Sequence, residues 1–222
     1  MKSRLAPAFK LLLWAWMCLV LAGAFLYAPL AAGFLGESSR ILFFHVPMAW
    51  TAFVAFLAAA VWSGLYLARR EPRHDRAAAA AVELGFVFCV LATVTGAMWA
   101  RTMWGAFWNW DPRQVSIVLV LIFYGAYLAL RGAVEDREKR ARLGAVYALL
   151  GLVVAPFFFW VVPRITFSLH PDSIVNTRGT IDMESRMLQV LLASWVGFNA
   201  LFFWLHGLRC RLGALADRRL EA

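Results

Sequence analysis

Charge is scarce in this chain. Asp, Glu, Lys and Arg together make up 16% of its 222 residues, where a soluble domain carries about a quarter. Acidic residues are scarcer still, 13 against 22 Lys and Arg. Cysteine is nearly absent: Cys18, Cys89 and Cys210 are far apart and form no C-x-x-C pair. Each falls in an apolar run or beside a basic one, which excludes a disulfide framework and a thiol-exchange motif. Ionisable residues inside the apolar runs are rare, Glu83 being the exception, so a proton or ion path is not expected. No internal repeat appears, and no matched pair of Gly/Pro-broken spans marks a central transport site. The net charge of +9 belongs to no foldable soluble unit, so nucleic acid is not an expected partner.

What is present is apolar length. The chain is 63% hydrophobic, and six stretches approach the roughly 20 apolar residues that cross a bilayer. They run approximately over 11–35, 41–68, 79–100, 115–130, 143–163 and 187–208. The fold class expected is all-α, a polytopic membrane protein of six transmembrane helices forming one domain over 1–222. The first stretch is too long to read as a cleavable signal peptide. Sixteen of the 22 basic residues fall in the N-terminal segment, around 69–76, around 131–142 and in the tail. The alternate connections hold the other six: Arg40, Arg101, Arg113, Arg164, Arg178 and Arg186. By the positive-inside rule both termini are cytoplasmic, and the basic segments attract anionic membrane lipid. Glu83 is expected to reach the cytoplasmic interface, and Asn199 to make an interhelical hydrogen bond.

The outer connections are unequal. The first, around Gly36–Arg40, is a tight turn. The third, 163–186, is the longest polar loop, punctuated by Pro163, Pro171 and Gly179 and charged by Asp172, Asp182 and Glu184; loops of this length are commonly functional. The second, 101–114, holds Trp104-Gly-Ala-Phe-Trp-Asn-Trp-Asp111. Written on a helix, Trp104, Phe107, Trp108 and Asp111 fall on one face, which would lie at headgroup depth. One reading of this run is an aromatic belt; the other is a platform for a large planar ligand.

The four histidines divide between the two faces. His74 and His206 lie at the cytoplasmic side, where solvated or interfacial roles are expected. His45 lies about one turn inside the outer end of the second span, beside the helix-bending Pro47, and an imidazole there needs a partner. His170 lies in the long outer loop. Two imidazoles beside an indole platform suit haem, whose iron takes one or two axial histidines. Trp104, Trp108 and Trp110 offer apolar stacking surface. Arg101 and Arg113 are placed to meet propionates, while Asp111 is expected to orient a ring N–H or to pair with Arg113. Zinc fits less well, because two histidines without a cysteine make an incomplete site. No C-x-x-C-H is present, so any haem is held without a covalent bond to this chain.

The run Trp104-Gly-x-x-Trp-x-Trp-Asp111 with Arg113 and Ser116, preceded by Met103, resembles the tryptophan-rich signature of the haem-handling proteins of cytochrome c maturation. His45-Val-Pro47, a histidine in the loop before the last span, six spans and the length are similar to the CcmC family. Two positions depart from the family pattern: Phe107 stands where tryptophan is more frequent, and His170 is followed by Pro171 where many members have Gln-Gly. The resemblance implies a transient, non-covalent haem b on the periplasmic face of the bacterial inner membrane, with His45 and His170 as axial iron ligands. It implies delivery to the haem chaperone CcmE, beside CcmA, CcmB and CcmD of an ABC-type complex, by a protein that presents haem without enzymatic turnover. Three alternatives stand beside it: a permease subunit moving haem through the bilayer, an electron-transfer membrane cytochrome b, and a structural subunit whose tryptophans bind protein and no pigment.

Overall fold

The structure is a computed structural model that describes residues 5–31, 35–171, 174 and 179–221. Helix α1 (Leu5–Ala22) runs on through a π-helical turn, Gly23–Tyr27. A 3-10 turn over Glu37–Ile41 leads into α2 (Leu42–Arg69). Then follow α3 (Pro72–Trp104), α4 (Pro112–Ala133) and α5 (Arg137–Pro156). The last continues through a π-helical turn, Phe157–Val161, into the single turn α6 (Val162–Ile165). Helix α7 (Ser185–Glu221) closes the chain. The described residues form no strand beyond one isolated bridge between Ala31 and Gly36. Among the described residues six segments are long and apolar enough to cross a membrane: Pro7–Tyr27, Glu37–Arg69, Pro72–Trp104, Pro112–Ala133, Arg137–Ile165 and Ser185–Arg219. The protein is an all-α, multi-pass membrane protein. Lys2, Arg4, Asp172 and Arg178 lie outside the described residues.

The helices stop where local chemistry stops them. Arg70 takes a left-handed conformation (φ 56°) at the end of α2, and Pro72 opens α3, so the hairpin between them is two residues long. Asp136 accepts the Lys139 amide proton at 2.7 Å and caps α5, a standard stabilisation of the first turn.

The centre of the bundle is α2 against α3, flanked by α5 and α7. Ala52, Ala55 and Ala59 make a small-residue stripe on α2 and are fully buried. Such stripes let helix backbones approach closely in a membrane. A Cβ at Gly85 of α3 would lie 2.7 Å from the Phe56 ring, so only glycine fits beside it. Phe56 in turn stacks on Tyr124 of α4 with centroids 3.6 Å apart and planes 4° from parallel. Asn199 on α7 donates to Thr51 Oγ1 at 3.3 Å, the interhelical bond expected of it. Helix α1 leans on α7, where Trp16 donates to the Ala193 carbonyl at 2.8 Å.

The two ends of the bundle differ in chemistry. One gathers the arginines into ion pairs: Asp75 takes both arms of Arg131 at 2.6 and 2.9 Å, and Glu83 pairs with Arg209 at 2.6 Å. His74 at this end departs from the solvated role expected of it. It is buried and stacked on Trp62, centroids 5.8 Å apart, because the first turn of α3 packs against α2 there. His206 bonds the Ala77 carbonyl at 2.9 Å. The opposite end collects the tryptophan run, His45 and the approach to α7.

Candidate haem site

The tryptophan run is not a helix. Helix α3 ends at Trp104, with Gly105 at φ 78°, a conformation open to glycine and costly for other residues. Trp110 also takes a positive φ, 56°, which costs a residue with a Cβ of order 1–2 kcal/mol. Pro112 then opens α4. The single amphipathic face drawn for Trp104, Phe107, Trp108 and Asp111 is therefore replaced by a folded loop. Gln114 ties that loop down: its Oε1 accepts from the Asn109 amide at 2.9 Å and its Nε2 donates to the Phe107 carbonyl at 3.1 Å. Trp108 and Trp110 meet edge to face at 5.7 Å, and Trp110 is 77% exposed. Arg101 lies over the Phe107 ring and donates to the Gly105 carbonyl.

Asp111 is the knot between this loop and the one before α7. As the cap of α4 it accepts the Arg113 amide proton at 2.9 Å. It also accepts the Leu169 amide proton at 2.7 Å and the Ser168 hydroxyl proton at 2.9 Å. Its fourth partner is Nδ1 of His170, 3.0 Å from Oδ1. Burial disfavours the Asp111 charge, yet the donated amides, the imidazole and the hydroxyl outweigh it and hold the carboxyl below its usual range. An ionised carboxylate only accepts hydrogen bonds, so the proton of the neutral His170 ring sits on Nδ1. Burial is also the main reason that the His170 pKa falls, to about 4; Asp111 opposes the fall and the Arg113 charge adds to it. At neutral pH the Nε2 lone pair of His170 is available for a metal.

The His170 ring lies among indoles. Trp104 meets it edge-on at 4.9 Å, and Trp99 lies 5.8 Å away at 32°. Trp99 and Trp104 contact each other at 5.1 Å.

His45 reaches the same end from α2. Its Nδ1 lies 3.1 Å from Thr95 Oγ1 on α3. A Cβ at Gly96 would lie 2.8 Å from the ring's Cε1, so the imidazole rests on bare backbone. Thr95 and Trp99 are four residues apart and face the same way on α3. The seats of the two imidazoles are thus one turn apart along a single helix.

Of the residues singled out in the sequence, the structure joins His170, Trp104, Asp111 and Arg113 in one cluster and sets His45 a helical turn away. Trp110 forms the exposed lip of the loop, with the half-buried Trp108 against it. Thr95, Gly96, Trp99 and Ser168 were missed. The available signal was the break in apolar character at Thr95-Gly96 within α3, at the depth of His45.

The donor set fits haem. Among the described residues no three His, Cys, Asp or Glu side chains gather to hold a bare ion. Two imidazoles beside flat indole surface suit an iron that brings its own equatorial nitrogens and takes axial ligands from the protein.

Fold and site together define a multi-pass membrane protein with an imidazole–indole cluster at one end of its bundle. The whole chain, residues 1–222, matches the family described as CcmC, Heme exporter protein C. It is similar to Heme exporter protein C of Rhodobacter capsulatus, 35% identical over 91% of this chain and 83% of that protein. The protein of that name from Paracoccus denitrificans is 35% identical over 84% of this chain and 77% of its own length. That of Bradyrhizobium diazoefficiens is 34% identical over 77% of this chain and 65% of its own. The chain belongs to the CcmC family.

Proposed function

We propose that this protein holds haem b non-covalently at the periplasmic face of the bacterial inner membrane and hands it to the chaperone CcmE for c-type cytochrome assembly. The observation that carries this reading is the pair of imidazoles at one end of the bundle, each held by a partner at Nδ1. Family membership supports haem handling. The excess of basic residues at the opposite end of the bundle supports the orientation.

Bound haem supplies the iron that the two imidazoles grip. His45 and His170 hold it from α2 and from the long loop. Trp99 and Trp104 wall the His170 side. Trp108 and Trp110 extend an apolar surface toward solvent, on which the porphyrin lies with one edge open to the chaperone. Arg101 and Arg113 meet the propionates. Asp111 binds the two outer loops into one unit and keeps the His170 proton on Nδ1. The chain performs no bond-making chemistry of its own, and the covalent step belongs to the chaperone. CcmA, CcmB and CcmD work beside it.

A transfer assay tests this. Haem-loaded protein in nanodiscs is mixed with haem-free CcmE, and haem on the chaperone is followed. The wild type should load CcmE, whereas His45→Ala and His170→Ala should not. Equal loading by both variants would contradict the reading.

A further inference from the structure

The two imidazoles are anchored on acceptors of different kind. Nδ1 of His170 donates to a carboxylate oxygen of Asp111 at 3.0 Å. Nδ1 of His45 meets the hydroxyl oxygen of Thr95 at 3.1 Å. That hydroxyl has one proton, and it is directed back to the helix, 2.8 Å from the Leu91 carbonyl and 3.1 Å from that of Ala92. Thr95 therefore faces His45 as an acceptor, and as a neutral one.

The difference matters at the far side of each ring. A hydrogen bond from Nδ1–H to a carboxylate raises the basicity of the imidazole and strengthens its bond to a metal at Nε2. Charge-assisted hydrogen bonds are roughly twice as strong as neutral ones. Asp111 cannot swing away, since the amides of Leu169 and Arg113 and the hydroxyl of Ser168 fix both its oxygens. His45 has neutral partners only, the Thr95 hydroxyl and the Ala92 backbone, and no carboxylate.

Resting on the haem-ligand reading above, we propose that the two axial histidines are unequal: Asp111 makes His170 the firm ligand, and Thr95 leaves His45 as the one whose bond to iron opens first. Opening returns the electron pair to Nε2 of His45 and leaves the oxidation state of iron unchanged, so no further reactant is required. Thr95 and Asp111 are then positioning residues that set an order of release, with His170 keeping hold while haem is passed on.

The direct readout is the iron–histidine stretching frequency of the reduced, five-coordinate protein by resonance Raman. It is measured in His45→Gly, where His170 remains, and in His170→Gly, where His45 remains. The frequency should be higher in His45→Gly. Asp111→Asn in that background should lower it, whereas Thr95→Val beside His45 should shift it less, and Thr95→Ser should restore it. Equal frequencies, or a higher one in His170→Gly, would overturn the inequality while leaving the haem site in place. A full-length protein without a haem spectrum would overturn the reading beneath it. If the single-histidine variants do not retain haem, the midpoint potential of the intact site decides. Asp111→Asn should raise it more than Thr95→Val; an equal or opposite order would overturn the proposal.

Discussion

Nδ1 of His170 lies 3.0 Å from Oδ1 of Asp111, although the two are 59 residues apart in sequence. That bond joins the loop carrying the tryptophans to the loop carrying the second histidine, and the site exists only because they meet. Replacing Asp111 with Asn keeps the shape and removes the charge. Haem affinity should fall by roughly 10- to 100-fold, the usual consequence of losing such an outer partner of a metal ligand. A haem titration followed by absorbance measures it, and unchanged affinity would show that the knot is only structural.

Gly96 gives a sharper steric test. A methyl group there would lie 2.8 Å from Cε1 of His45, whereas the same methyl at Gly132 meets nothing within 4 Å. Gly96→Ala should displace the imidazole and lower haem content with helix content unchanged by circular dichroism. Gly132→Ala should leave the haem spectrum intact. Equal behaviour of the two would remove His45 from the site.

The tryptophans divide by exposure. Trp110 is 77% exposed, so Trp110→Ala should fold normally and yet weaken haem retention or capture by CcmE, and Trp108→Ala, which removes its edge-to-face partner, should do the same. Trp99→Ala should loosen haem too, because it removes a ring packed against His170. If all three variants keep haem and bind the chaperone as the wild type does, the tryptophans are an interfacial belt and the platform is wrong.

Orientation is tested by labelling. In a chain with Cys18, Cys89 and Cys210 changed to Ser, a cysteine at Ile181 should react with a membrane-impermeant maleimide in intact spheroplasts. One at Lys139 should react only after the membrane is opened. The reverse pattern would place the imidazoles on the cytoplasmic side.

The six spans were legible because apolar length and the sparing use of charge are properties of composition over a window. Glu83 at the basic end and Asn199 between helices followed from the expense of polar groups in lipid. The tryptophan loop was misread because a helical wheel ignores backbone: Gly105 and Trp110, both at positive φ, and Pro112 break the register. Of the solvated and interfacial roles expected of His74 the solvated one does not hold, because its burial depends on Trp62 from another helix. Thr95, Gly96 and Ser168 carry no motif. Each acquires a role only when a distant element arrives beside it, which spacing along one chain does not encode.

The measurement that bears most directly on the account is the absorption spectrum of the detergent-purified protein, oxidised and dithionite-reduced, beside those of His45→Ala and His170→Ala. A non-covalent, low-spin b-type spectrum in the wild type, lost or converted to high spin in both variants and unaffected in His206→Ala, is the predicted result. A colourless wild type that stays colourless after haem is added, or a pigment indifferent to both substitutions, would contradict it.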